Sequence, residues 1–224
     1  KLVFLNYTYG TNNPSDYPPA IINRIDEDLI KKDMKEAKAL KPDAIIVMMH
    51  WGKEYHEDER KEEQLLAKKL FDWGATLVVG AHPHVVQPVK MEQHDSGNRL
   101  VAYSLGNFIS GQVKPKTDGS ILLEVELALD DEKEKAFVTD YHFIPIWRHI
   151  HRKGKKTFMT IPIAPFEKEN SLLEMSKYDR RKMLAYAKYI RKKMKTFDCS
   201  ERKITLRDID QLQSSGTTGS VATQ

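Results

Sequence analysis

The chain has 224 residues, 40% of them hydrophobic, with a formal net charge of +4. That length supports one sizeable core with room for a small appendage. A single cysteine, Cys199, rules out an intrachain disulfide and a Cys-based zinc cluster, and no apolar run approaches the roughly 18 residues needed to span a membrane.

Lys1-Leu2-Val3-Phe4-Leu5 already reads as a strand, and Val3 to Tyr7 is apolar enough to be buried. No signal peptide precedes it, and a chain that opens inside a strand reads as the later part of a longer protein, with any anchor or export signal upstream. Tyr9 to Ala20 is rich in Gly, Asn and Pro, a loop at a strand's carboxyl end that can reach a site there. Asp26 to Leu40 repeats Ile25, Leu29, Ile30, Met34, Ala37 and Leu40 at helical spacing. Ala44 to Met49 is a strand that ends on His50-Trp51-Gly52. The charged loop from Gly52 to Arg60 follows, in which Glu54 and His56 lie near enough to His50 to join a site; His56 reads as surface and Glu54 stays open. Glu62 to Trp73 is a second amphipathic helix, faced by Leu65, Leu66, Leu70 and Trp73 and closed by Gly74.

The next strand, Thr76 to Val79, leads into Gly80-Ala81-His82-Pro83-His84. Gly80 reads as the residue that ends the strand, and Pro83 biases His82 toward an extended backbone. Residues two apart in an extended segment point the same way, so both imidazoles face one point. The order β-α-β-α-β implies a mainly parallel sheet with right-handed crossovers. His50, His82 and His84 then meet at one sheet edge, where α/β folds keep their sites, and imidazole is the commonest metal ligand. A His-x-His pair in an ordinary loop is the plainer alternative.

Beyond the pair the period changes. Val85 to Glu92, Asn98 to Tyr103, Ser120 to Leu129 and Phe137 to Trp147 alternate with no helices between them, so this half reads as antiparallel in a mixed or two-sheet core. Asp95 to Asn98 and Asp130 to Glu134 are its turns. Gly106-Asn107 is a tight turn that brings Asn107 toward the histidines, where its amide could ligate a metal, donate to an anion, or only stabilise the turn. Lys153 to Ile163 reads as an edge strand or hairpin, and Ser171 to Lys195 as a helix capped by Ser171 with Glu174. A last helix starts at Leu206. Residues 214–224 are Ser/Thr/Gly-rich and read as disordered. There is no repeat, no GxxxxGK, no GxGxxG and no GxSxG. Arg148 to Lys156 and Lys177 to Lys195 are basic, a solvated helix face or an anion-binding surface.

Four stretches, Phe4-Leu5-Asn6-Tyr7-Thr8-Tyr9-Gly10-Thr11-Asn12, His50-Trp51-Gly52-Lys53-Glu54-Tyr55, Gly80 to Pro88 and Tyr103-Ser104-Leu105-Gly106-Asn107-Phe108, resemble the poly-γ-glutamate capsule synthesis family, the CapA family. That family is similar in fold to the calcineurin-like metallophosphatases. The resemblance implies an α/β (α+β) chain, a mixed β-sandwich flanked by helices with its N-terminal part missing. Residues 1–150 would be the later part of that domain, 151–212 a hairpin and helical extension, and 213–224 a tail. It implies His50 as ligand of one metal and His82 and His84 as ligands serving two, the ion being Mn, Fe, Zn or Mg. The family's earlier Asp, Glu and Asn-His motifs, which supply the bridging carboxylate and catalytic His, would lie upstream of Lys1. Two divalent ions need bridging carboxylate charge at roughly 3.5–4 Å separation, so this stretch alone is expected to bind one ion weakly. A half sheet is also expected to leave an exposed edge and apolar face.

The implied role is capsule or cell-envelope polymer synthesis or export, at the cell surface or outer face of the membrane, with an anionic poly-glutamate or wall polymer and the capsule machinery as partners. A metal-dependent phosphoesterase or amide hydrolase, with Glu54, Tyr55 and Asn107 shaping the substrate pocket, is one alternative. A non-catalytic polymer-binding module using Lys188, Arg191, Lys192 and Lys193 is another. Nucleic acid is not an expected partner, because the basic runs lack interleaved aromatics.

Overall fold

The computed structural model describes residues 1–12, 21–95, 97–130, 135–152, 154–168 and 175–208. The first sheet holds β1 (Leu2–Thr8), β2 (Ala44–His50), β3 (Leu77–Ala81), β5 (Arg99–Ala102) and β4 (Val89–Glu92) in that spatial order. β1, β2, β3 and β5 run parallel, and β4 returns antiparallel to β5 through a hairpin. The second sheet is antiparallel: β6 (Gly119–Asp130), β7 (Lys135–His151) and β8 (Thr157–Pro162), with β9 (Ser200–Glu201) added parallel to β7. The change of direction comes later than the periodicity suggests: β4 and β5, expected in the antiparallel half, belong to the first sheet, with β5 parallel to β3, and the antiparallel sheet begins at β6. β9, two residues long, has no counterpart in the sequence reading.

Alternation divides the first sheet's faces. Ile45, Val47, Met49, Val78 and Val101 pack with α1 (Glu27–Ala39) and α2 (Lys61–Asp72), while Ile46, Leu77, Leu100 and Ala102 share a core with the second sheet and α3 (Lys177–Lys195). α1 is capped by Asp26, whose side chain accepts from Leu29 N. α2 buries Ala67, Leu70 and Phe71, with Leu66 and Trp73 packed against the same core; of the face expected, only Leu65 is exposed. Gly74, at φ +105°, follows its C-cap.

The helix expected from Ser171 begins at Lys177, with Ser176 as its cap accepting from Asp179 N; Ser171 and Glu174 lie outside the described residues. So do the 131–134 turn, most of the loop to Ala20 and residues 209–224. α3 buries Met183, Tyr186, Ala187, Ile190 and Met194 in the shared core, so Ile161, Ile163, Phe166 and this helix share one hydrophobic cluster with Ile46, Leu100, Phe143 and Trp147. On β1, Leu2 and Phe4 are 51% and 63% exposed, and Met48 beside them 38%: an apolar strip that no described residue covers.

Candidate metal centre

The parallel register brings the sheet's carboxyl ends level, with His50 of β2 opposite Ala81 of β3 and Thr8 of β1 opposite His50. Trp51 then locks the two strand ends together. Its backbone N–H donates to Ala81 O at 3.0 Å, and its indole Nε1 donates to Tyr103 O, also at 3.0 Å. Gly80 does not end its strand as the sequence suggested; it lies within β3, and a Cβ there would collide with the Tyr103 carbonyl and the Trp51 indole. The glycine serves a close approach of three chain segments rather than a turn.

The loop that carries the histidines is also not extended. His82 has φ +103° and His84 φ +62°, both in the region that L side chains avoid. Pro83 therefore does not hold His82 in a β conformation; a positive-φ residue on each side of the proline aims the rings. Tyr55, which stacks on His84 at 5.7 Å, is a third positive-φ residue, at +66°. Non-glycine strain gathered at one cluster marks a site whose geometry is imposed by its surroundings.

The donor group brought together is Glu54, His82 and His84; His50, expected as a ligand, stands beside it, and Glu54, expected to shape the substrate pocket, is in its place. One ligand-grade atom each from Glu54, His82 and His84 lies within 4.8 Å of the other two, and Glu54 Oε1 is 3.4 Å from His84 Nε2. The ring of His50 adjoins that of His82, with centroids 4.8 Å apart. Tyr9, at the start of the loop after β1, lies parallel to His50 at 5.8 Å and tilted against His82 at 4.5 Å. Its contact could be anticipated only in that its loop leaves the same sheet edge. His56 is exposed and contributes only its backbone, which accepts from Gln87 Nε2.

Asn107 stands beside the cluster with its amide fully engaged. Its Nδ2 donates to Gln112 Oε1 and to Thr117 O, both at 3.1 Å, which leaves Oδ1 facing His84 Nδ1 at 2.8 Å. An amide oxygen can only accept, so Nδ1 carries a hydrogen, and Nε2 is the ring nitrogen on the Glu54 side. This is the arrangement of a metal-binding histidine oriented by an outer partner. Gln112 also donates to the Tyr55 hydroxyl at 3.3 Å, and the Lys114 ammonium sits 3.5 Å from the Tyr55 ring centroid.

Burial favours the neutral form of two of the rings. Burial lowers the pKa of His50, and the neighbouring His84 lowers it further. Burial also lowers that of His82, followed by His50; the Glu54 carboxylate opposes this, and His84 and Arg60 add to it. Neutral imidazole is the form that ligates. One carboxylate and two imidazoles match the three-ligand sets that bind a divalent ion while leaving coordination positions open.

The loop carrying Glu54 is fastened at several points. Tyr55 N donates to Pro83 O at 2.8 Å, and Gln87 Nε2 donates to the carbonyls of His56 and Asp58. The Glu57 carboxylate receives the Tyr189 hydroxyl at 2.5 Å and the ammonium groups of Lys116 and Lys193. Two of the four α3 cations expected to face a polymer are therefore turned inward: Lys193 to Glu57, and Arg191 to Glu167 and Glu201. Lys188 and Lys192 remain exposed.

Residues 1–112 match the profile of a protein family described as Bacterial capsule synthesis protein PGA_cap. Over 85 residues the chain is 36% identical to the PGA biosynthesis protein CapA of Bacillus subtilis (strain 168), a stretch that is 38% of this chain and 21% of that protein. Over 103 residues it is 36% identical to the capsule biosynthesis protein CapA of Bacillus anthracis, covering 45% of this chain and 24% of the relative. The matched stretch is thus about a quarter or less of each relative's length. The family match over residues 1–112 contains Glu54, Tyr55, Asn107 and all three clustered histidines.

Proposed function

Since the chain belongs to the bacterial capsule synthesis protein family, we propose that it serves the synthesis or export of an anionic capsule polymer at the cell envelope, through a divalent-metal site built on Glu54, His82 and His84. The observation that carries the reading is the approach of those three donor atoms to within 4.8 Å of one another on strained, braced loops. His50 and Tyr9 wall the site on the β1 side, and Tyr55 on the other. Two imidazoles to one carboxylate favour Zn or Fe over Mg. When bound, such an ion supplies Lewis acidity and an activated water, which suits cleavage or transfer at an amide or phosphoester. The chain's own residues hold the donors, exclude solvent from one side of His82, and fix the protonated nitrogen of His84. The poly-γ-glutamate backbone, with its amide links and carboxylates, is the proposed substrate class.

The test is hydrolysis of poly-γ-glutamate and of a generic phosphoester by the full chain with added Mn²⁺ or Zn²⁺, beside His82→Ala and Glu54→Ala. Equal rates in all three proteins overturn a catalytic role; metal binding equal in all three, by equilibrium dialysis, overturns the site itself. A second reading, a polymer-holding face, is favoured by exposed Lys188 and Lys192 on α3. Poly-glutamate binding that weakens with salt and on replacing both lysines with alanine supports it.

A further inference from the structure

Helix α3 and residues 113–118, just before β6, lie beyond the family match, yet both contact the loops beside the candidate metal centre. Lys182, Tyr189 and Lys193 are spaced by seven and four residues, which sets them along one side of the helix. The far end of this stripe grips Glu57: the Tyr189 hydroxyl donates to Oε2 at 2.5 Å, and Lys193 Nζ donates to Oε2 at 3.2 Å and to the Glu57 carbonyl at 3.0 Å. The near end, Lys182, pairs with Asp118, which is 5% exposed. Lys116 completes the bridge, bonded to Glu57 and 4.5 Å from the Tyr189 ring centroid.

The two acidic residues flank the cluster. Glu57 is three positions after Glu54 and two after Tyr55. Asp118 follows Thr117, whose carbonyl holds the Asn107 amide that orients His84. One helix is thus tied to the wall carrying the carboxylate donor and to the wall that aims an imidazole donor. A solvated basic helix would have no reason to aim a tyrosine and two lysines at buried or half-buried carboxylates in two separate loops.

We propose that Glu57 and Asp118 are positioning residues, through which α3 sets the placement of Glu54 relative to His84. This rests on the metal reading above. The assignment gives the basic C-terminal helix a task at the site: it braces the donor loops, and its inward cations are structural.

The full chain is titrated with Co²⁺, whose visible absorption reports the number and type of its donors. Glu57→Ala is expected to weaken Co²⁺ binding about tenfold and to shift its spectrum toward that of Glu54→Ala, with far-UV dichroism unchanged. Tyr189→Phe, which removes a single hydroxyl, is expected to move both in the same direction by less, and it carries the test should Glu57→Ala fail to fold. Glu57→Asp, which keeps the charge, is expected to recover part of the affinity. In the metal-free chain, exchange of the Tyr55 amide is expected to be faster in Glu57→Ala and Tyr189→Phe. Binding weakened by Glu54→Ala but untouched by Glu57→Ala and Tyr189→Phe, or unchanged amide exchange, overturns the brace alone. Absence of Co²⁺ binding in the unaltered chain overturns the metal reading and the brace together.

Discussion

His84 Nδ1 lies 2.8 Å from Asn107 Oδ1, an oxygen whose direction is set by the two hydrogen bonds that the same amide donates elsewhere. The asparagine thereby selects the tautomer of the histidine. Loss of an outer partner of this kind typically costs about 10–100-fold in metal affinity. Asn107→Ala should weaken Zn²⁺ binding within that range, as read by competitive titration, and lower the melting temperature by only a few degrees.

His82 sits at φ +103°, where a Cβ is strained and glycine is not. His82→Gly and His82→Ala both delete the imidazole, yet they should differ in stability. The glycine variant should be the more stable by about 1 kcal/mol, since left-handed backbone costs an L residue about 1–2 kcal/mol. Chemical denaturation of the two metal-free variants measures the difference. A more stable alanine variant would show that the loop relaxes out of its left-handed form.

Glu57 has its carboxyl drawn down to about 2 from the ordinary 4.5; burial pushes it up, but the bonds from Lys116 and Tyr189 and the nearby Lys193 outweigh that. Between those two values the folded chain carries fewer protons on this group than the unfolded chain does. Its stabilising contribution is therefore complete above pH 4.5 and is lost as pH falls toward about 2. Glu57→Gln should be less stable than the unaltered chain at neutral pH, and the gap should close through that window. Denaturant midpoints for both proteins at stepped pH provide the comparison.

Tyr186 is buried against Trp147 and crowds Gly119, and its hydroxyl has no hydrogen-bond partner among the described residues. An unsatisfied buried hydroxyl costs about 1–3 kcal/mol. Tyr186→Phe should leave stability unchanged or raise it by about 1 kcal/mol, seen as a higher thermal midpoint. Gly119→Ala should do the reverse, because its new methyl group would meet the Tyr186 ring.

Much of the fold is legible because it is repetitive. The spacing of Ile30, Met34 and Ala37 announces α1, and the unbroken apolar runs of Ala44 to Met49 and Thr76 to Val79 announce buried parallel strands. Strand register brings His50 level with Ala81 at one sheet edge, and so brings the loops that follow β2 and β3, with His82, His84, Glu54 and Tyr55, to the same place. What stays hidden depends on partners distant in sequence. Nothing near His82 signals a positive φ, since Pro83 argues locally for an extended chain. Nothing near Tyr189 signals Glu57, which is 132 residues away. Gly80 looks like punctuation until the Tyr103 carbonyl is seen against it.

That carbonyl has a wider consequence. Tyr103 O receives the Trp51 indole and leaves Gly80 no room for a side chain, so stretches near residues 51, 80 and 103 share one atom's surroundings. Replacements among these three positions should be strongly epistatic, each tolerated or ruinous according to what stands at the other two. Divergence could alter the trio in concert far more readily than one member at a time.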